Sequence, residues 1–300
     1  MKFLLLWLKG CAMGTADVVP GVSGGTIAFV SGIYEELIES IKRVDMTALR
    51  LLGRLRFKEL WRHLNGSFLL PVLLGIATAI FSLARLMTYL LVHHPIGVWS
   101  FFFGLIVASA LLVAREVGRW DWRSVVALLT GAAVAWWITA ATPVATPETW
   151  WFVMLSGAIA ICAMILPGIS GAFILLLLGK YQFILQSVSE LNVPVLLCFL
   201  AGAAAGIVSF SHLLSWLLKH WHDVTVATLM GFMIGSLNKV WPWKEVLETY
   251  TDSHGKLQPL IEANVLPDRF DWGAVLLCAA GFALIYGIDI AARVIARKRR

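Results

Sequence analysis

Two short runs concentrate the residues able to do chemistry: Val18-Val-Pro-Gly-Val-Ser-Gly-Gly-Thr26 and Ile165-Leu-Pro-Gly-Ile-Ser-Gly-Ala-Phe173. In each, the proline (Pro20 or Pro167) lacks an N–H and ends an incoming helix. The glycine after it (Gly21 or Gly168) permits a tight turn and a close approach by a ligand. The residues that follow, Ser23-Gly24-Gly25-Thr26 and Ser170-Gly171, open a second helix whose unpaired N–H groups point back at the turn. A serine hydroxyl there can cap those groups or donate to an oxyanion. A helix N-terminus in a low dielectric favours an anion such as phosphate. Taken alone, one such run is also explained by tight packing, because small residues are common between membrane helices. Its duplication favours a site.

Ionisable residues within apolar stretches are scarce, and each is a functional candidate. Asp17 precedes the first turn and could bind a proton or a coupling cation, pair with an arginine, or cap the turn. Arg85 sits inside an apolar stretch, too deep for easy snorkelling, and could neutralise a phosphate or pair with Asp17. His212 occupies the position matching Arg85 and could titrate near neutral pH. Glu35, Glu36 and Glu39 follow the first turn and are expected at a membrane surface, and Asp289 and Arg293 are spaced as a structural pair. No catalytic residue, metal-ligand spacing or cofactor motif stands out. Cys11, Cys162, Cys198 and Cys278 all lie in apolar stretches and read as small buried hydrophobes.

The elements that must hold these residues are membrane helices. The 300-residue chain is 59% hydrophobic and 14% charged, against about 25% charged in soluble domains. Full crossings are expected near 67–92, 96–114, 123–141, 193–218, 223–240 and 272–293. Regions 3–40 and 149–188 are each broken by Pro-Gly. The arm 3–16, about 14 residues, reaches only roughly 21 Å as a helix. Each region is therefore read as a re-entrant hairpin of two half-helices. The N-terminus imitates a signal peptide, but Lys9 interrupts it and a copy recurs later in the chain.

Loop charge orients the spans. The segment 42–62 carries Lys42, Arg43, Arg50, Arg54, Arg56, Lys58 and Arg62, and the tail ends in Arg297-Lys-Arg-Arg300. The positive-inside rule places both, and Arg115, Arg119, Arg123 and Lys219, in the cytoplasm. The loop 241–271, with Glu245, Glu248, Asp252, Glu262, Asp268 and Asp271, falls outside. This use of the +6 net charge leaves no reason to invoke nucleic acid. The stretch 44–65 alternates Leu, Trp and Phe with Arg and Lys, as a helix lying on anionic membrane lipids would. Tryptophans near span ends, such as Trp7, Trp61 and Trp150, read as interface anchors.

The chain also repeats itself. Gly10, Pro20, Gly21, Ser23, Gly24 and Gly32 meet Gly157, Pro167, Gly168, Ser170, Gly171 and Gly179 at an offset of 147; Gly75, His93, Gly104 and Ser109 meet Gly202, His220, Gly231 and Ser236 at an offset of 127. Small residues in register do not recur by chance as apolar ones do. The fold expected is an all-α polytopic membrane protein of two repeats. Residues 1–141 hold hairpin 3–40, the basic segment 44–65 and three spans. Residues 149–300 hold hairpin 149–188, three spans and the acidic loop 241–271. A hairpin plus three crossings is an odd number of passes, so the halves must be inverted, the arrangement of many transporters.

Asp17-Val-Val-Pro-Gly-Val-Ser-Gly-Gly-Thr26, Gly32-Ile-Tyr-Glu-Glu36 and Leu166-Pro-Gly-Ile-Ser-Gly171 together resemble a bacterial membrane family, PopT, associated with polyprenyl-phosphate transport. The resemblance covers most of the chain. It implies a multi-pass protein of the cytoplasmic membrane, whose C-terminus the loop charges put inside. It also implies that undecaprenyl phosphate, the lipid carrier of cell-wall synthesis, is returned from the outer to the inner leaflet. The residues by themselves argue for a membrane-embedded anion site, and a homodimer stays open. Two rivals remain: an anion or solute channel, and a membrane polyprenyl-diphosphate phosphatase. One phosphatase family has a similar loop, Pro-Gly-x-Ser-Arg-Ser-x-x-Thr, but here Gly24 and Gly25 replace its Arg and second Ser, and Glu35 and Glu39 lie after the turn. The loss of the turn's own arginine, which would stabilise charge at the reacting phosphorus, weighs against catalysis.

Overall fold

The computed structural model describes residues 2–18, 22–144, 146–251, 257–267 and 271–297, with the side chains of residues 2, 84, 85, 88, 189, 250, 251, 257–261 and 291–297 excepted. Fourteen helices and two strands are formed there. The first region contains α1 (Lys2–Asp17), α2 (Gly24–Val30) and α3 (Tyr34–Lys42). Two short helices, α4 (Met46–Gly53) and α5 (Phe57–His63), lead to α6 (Gly66–His93), α7 (Pro95–Val113) and α8 (Trp122–Ala140). Then come α9 (Trp150–Ile165), α10 (Gly171–Leu177), α11 (Tyr181–Ser189), α12 (Val193–His220) and α13 (His222–Ser236). Strands β1 (Lys244–Thr251) and β2 (Leu257–Asn264) precede α14 (Trp272–Arg297).

Five helices, α6, α7, α8, α12 and α14, are long and apolar enough to cross a membrane. Their outer faces carry exposed Leu, Phe and Trp; Phe81 is 86% exposed and Trp137 69%. Water would reject so much apolar surface, whereas lipid accepts it. Local signals set the ends. Asp121 caps α8 by accepting from Ser124 N (2.9 Å), and Asn192 caps α12 by accepting from Val195 N (3.5 Å). Pro95 opens α7, where its missing N–H costs nothing.

Four helix pairs build the bundle: α1 on α6, α9 on α12, α7 on α14 and α8 on α13. Each is welded by at least two glycines that let backbones touch. A Cβ on Gly10 would strike the carbonyl of Val72, and one on Gly75 that of Trp7. Gly157 and Gly202 do the same between α9 and α12, Gly104 and Gly281 between α7 and α14, and Gly131 and Gly231 between α8 and α13. Element lengths recur along the chain: 16, 7 and 9 residues in α1–α3, the same in α9–α11, and 28 in both α6 and α12.

Several expectations change. The Pro-Gly regions hold three helices each, not two half-helices. Gly32 and Gly179 (φ 69° and 60°) break the returning arm, and α10 and α11 meet at 110°. Helix α13 has 15 residues and stops at Ser236, so the crossing expected over 223–240 reaches only roughly 22 Å. The basic segment 44–65 is two helices, turned at Leu55 (φ 56°), with Leu49, Leu52, Phe57 and Trp61 exposed. The loop 241–271 is not helical or irregular throughout. Strands β1 and β2 pair antiparallel, Lys244 opposite Asn264, a two-stranded addition to a mostly helical fold.

The glycine welds yield a direct test. Gly75→Val and Gly202→Val should each destabilise the protein by about 1–3 kcal/mol or more through overpacking, read as a lower midpoint in thermal unfolding in detergent. Gly53→Ala, into open space, should leave it unchanged.

Candidate anion site where the two Pro-Gly turns meet

Helix α1 ends at Asp17, and α2 starts at Gly24 with Ser23 as its N-cap (φ −121°, ψ 132°). Gly24 N–H donates to Asp17 Oδ1 at 2.7 Å. Only a glycine admits the carboxyl so close: a Cβ on Gly24 would lie 2.5 Å from Asp17 Oδ2. Gly25 N–H donates to Ser23 Oγ (3.1 Å), and Thr26 N–H to the Ser23 carbonyl (3.0 Å). The first turn of α2 is thus satisfied from its own chain, with Asp17 as a resident acceptor.

The second turn lies directly against the first. Ser23 Oγ is 3.1 Å from both the Met164 and the Leu166 carbonyls, to either of which it can donate. Tyr34 OH donates to the Ile165 carbonyl at 3.2 Å. In the other direction, Gly168 N–H donates to Thr26 Oγ1 at 3.0 Å. Gly168 has φ 88°, a left-handed conformation that L side chains rarely adopt. A Cβ there would also meet Phe232, Met233 and Ser236 of α13. Ser23, Thr26, Tyr34 and Ser170 are all buried. The carbonyls freed where α9 breaks therefore find hydroxyls from the first turn, as backbone in apolar surroundings must.

The two turns differ at one position. Where the first has Asp17, the second has Met164, and Ser170 stands at the N-cap of α10 (φ −97°, ψ 130°) without a side-chain cap bond. Among the described residues, α10 has no resident carboxyl of the kind α2 has. Ser23, Gly24, Gly25 and Thr26 are thus packed beside Asp17 and against residues 164–168 of the second turn, while Pro167, Ser170 and Gly171 are buried along that second turn. Pro20 and Gly21 lie outside the described residues, as does the Arg85 side chain, whose backbone belongs to α6. His212 is exposed on α12, with Nδ1 2.8 Å from the Val208 carbonyl of its own helix, and among the described residues it bonds to neither turn.

The acidic residues after the first turn fasten it elsewhere. Glu39 pairs with Lys219 at 2.8 Å and accepts from Ser215, while Glu35 is 3.5 Å from His222. Asp289 is 3.6 Å from Arg115; the Arg293 side chain falls outside the described residues. Lys180 escaped the sequence reading. It is 1% exposed, donates to the Thr146 carbonyl at 2.7 Å, and lies over the rings of Phe152 and Phe183. A lone cation at the break between α10 and α11 was the available signal.

A multi-pass helical membrane protein with two interlocked broken helices is the class these observations define. The chain belongs to the undecaprenyl phosphate translocase-like family described as VCA0040-like, whose model matches residues 13–258. It is 46% identical over 298 residues to a polyprenyl-phosphate transporter of Vibrio cholerae, covering 96% of this chain and 97% of that one. It is 34% identical over 253 residues to a polyprenyl-phosphate transporter of Staphylococcus aureus, covering 78% of this chain and 85% of that one. No solved structure matches the chain.

The lock between the turns should be measurable. Thr26→Val keeps the shape but removes the acceptor of Gly168 N–H, leaving a buried donor unpaired at about 1–3 kcal/mol. Thermal unfolding should show that loss, and Thr26→Ser should restore most of it.

Proposed function

We propose that this protein is a flippase that returns undecaprenyl phosphate, or a related polyprenyl phosphate, from the outer to the inner leaflet of the bacterial cytoplasmic membrane, recycling the lipid carrier of envelope synthesis. The observation that carries this reading is the buried set of hydrogen bonds that joins Ser23, Thr26 and Tyr34 to Met164, Ile165 and Gly168 at the second Pro-Gly turn, in a chain of the translocase-like family. A lipid phosphate has a charged head that hydrocarbon rejects at a cost of many kcal/mol, and a tail that hydrocarbon accepts. A protein that replaces water around the head while the tail stays in lipid removes most of that barrier.

In this reading the two Pro-Gly regions are re-entrant hairpins of two inverted repeats, 1–141 and 149–300. The recurring helix lengths and the packing of the bundle support it. Exchanging the repeats turns α1 on α6 into α9 on α12, and α7 on α14 into α13 on α8, and all four pairs occur. Head binding is assigned to the junction: Pro20, Gly21, Ser23, Gly24, Gly25, Thr26, Pro167, Gly168, Ser170 and Gly171, with Arg85 from α6. Ser23 and Thr26 position the turns against each other, and Ser170, without a cap bond, is the hydroxyl left to donate to the head. Asp17, bound to Gly24, is a better candidate for proton or cation coupling than His212, which bonds within its own helix. Rocking of the repeats would expose the junction to either leaflet, and the C-terminus lies in the cytoplasm.

Hydrolysis of a polyprenyl diphosphate is the competing reading. Side chains in place of Gly24 and Gly25 would collide with Asp17 and the Ile165 carbonyl, so the turn has no room for a phosphatase arginine. Release of inorganic phosphate from the diphosphate by the purified protein would favour the enzyme.

In reconstituted vesicles, Ser23→Ala, Ser170→Ala and Arg85→Gln should each slow lipid-phosphate translocation by about tenfold or more, as expected for removal of a charge-stabilising contact. Membrane insertion should be unaffected. Wild-type rates in all three would refute the site.

A further inference from the structure

A second polar site lies at the end of the bundle that carries the β-hairpin. A cavity of about 230 Å³ opens between the ends of α8 and α13, helix α10 and strands β1 and β2. Its polar lining includes Asn238, Lys239, Lys244, Glu262 and Asn264. Lys239 and Lys244 reach the same carboxylate oxygen, Glu262 Oε2, at 3.0 and 3.2 Å. Their side chains are 19% and 7% exposed and that of Glu262 19%. Two cations and one anion leave one positive charge in excess, away from bulk water.

The donors are not all used. An ammonium has three N–H bonds. Lys244 gives one to the Lys239 carbonyl (2.6 Å) and one to Glu262, and its Nζ stands 4.5 Å from the centre of the Trp99 ring. Among the described residues, Lys239 gives one only, to Glu262, and lies 4.9 Å over the ring of Phe173. Asn264 fastens β2 to the end of α13 through the Asn238 carbonyl and side chain (2.9 and 2.8 Å), and Asn238 bonds Thr139 (3.2 Å). The hairpin thereby holds Lys244 and Glu262 over the cavity. The place is close to the second turn: Phe173 is two residues beyond Gly171 on α10, and Lys239 three beyond Ser236, which Gly168 backs against.

We propose that this cavity is a phosphate-monoester site, in which Lys239 and Lys244 receive the phosphate head of a lipid before it reaches the junction of the two turns. The proposal rests on the transport reading above. Free phosphate shares the chemistry of the head, but the surroundings favour a lipid. A separate apolar cavity of about 470 Å³ is lined by Trp241, Trp243 and Phe282 among others, and its walls are linked to the lysine site through chain neighbours. Trp243 immediately precedes Lys244, and Ser100, also in its wall, immediately follows Trp99, whose ring faces Lys244. A charged head and an apolar chain thus have a polar and an apolar lining connected through Trp243-Lys244 and Trp99-Ser100.

Burial and the neighbouring Lys239 lower the Lys244 ammonium from its ordinary value to about 8, opposed by Glu262; the Glu262 carboxyl is itself held below its ordinary value by the two lysines, against its own burial. Below about pH 8 Lys244 is charged; above it the excess charge disappears. Phosphate binding should therefore weaken as pH rises through that value, while Lys239 and Glu262, the charged groups facing Lys244, set how steeply.

The test is titration of the purified full-length protein in detergent with farnesyl phosphate and, separately, inorganic phosphate, at neutral pH. Lys239→Gln should weaken farnesyl phosphate by about tenfold, Lys239→Arg should stay near wild type, and Glu262→Gln, which raises the excess charge, should tighten it. A structural role alone would make the Gln variants weaken together, and that result overturns the proposal, as does wild-type affinity in both. Inorganic phosphate binding as tightly as farnesyl phosphate would overturn the lipid assignment. If the lysine and glutamate variants bind normally while Ser170→Ala and Arg85→Gln lose translocation, this site falls and the transport reading stands. If the wild-type protein moves no lipid phosphate, the transport reading falls whatever the lysines do.

Discussion

Breaking a helix inside an apolar bundle strands backbone groups that water cannot reach, and each must find a partner or cost its desolvation. Here two broken helices solve the problem for each other. The carbonyls of Met164, Ile165 and Leu166 face the hydroxyls of Ser23 and Tyr34, and Gly168 N–H finds Thr26. The residues are ordinary; their reciprocity is what matters. Remove one turn and the other is left with unpaired polar groups in apolar surroundings. That dependence fixes the distance between the two halves of the chain at one point and gathers the polar residues there.

The same contacts separate roles that look alike in the sequence. Ser23 and Ser170 occupy matching positions, yet Ser23 caps its own helix and bridges to the opposite turn, whereas Ser170 makes no cap bond. Asp17 and Met164 match in position and not in chemistry. One helix start already holds a carboxyl against its first N–H; the other does not. Two runs alike in sequence thus differ in what their first turns bond to.

Much of this was legible in the residues. Long apolar runs located α6, α7, α8, α12 and α14 to within a few residues, because hydrocarbon thickness leaves little freedom. Pro-Gly marked both helix breaks, since proline cannot continue the ladder. Two kinds of information were not legible. One was how far a helix continues after a break: α13 stops at Ser236 where Gly168 packs against it, and that depends on a distant segment. The other was polar geometry beyond the spans. The run from Lys244 to Asn264 reads as an acidic loop by charge, and its strand pairing and the meeting of Lys239, Lys244 and Glu262 arise only once β2 folds back. Periodicity reports faces of single elements; it is silent on which loop covers which end.

The paired glycines carry one more implication. Where Gly10 faces Val72 and Gly75 faces Trp7, two backbones are in contact and neither can slide or roll without a collision. The same holds for the other three couples. The molecule is therefore less a bundle of independent rods than four stiff planks, and any change of shape has to occur along the seams between them. The plank of α1 and α6 meets the plank of α9 and α12 through short helices, α2 against α9 and α3 against α12, so the broken segments are what couple the two planks.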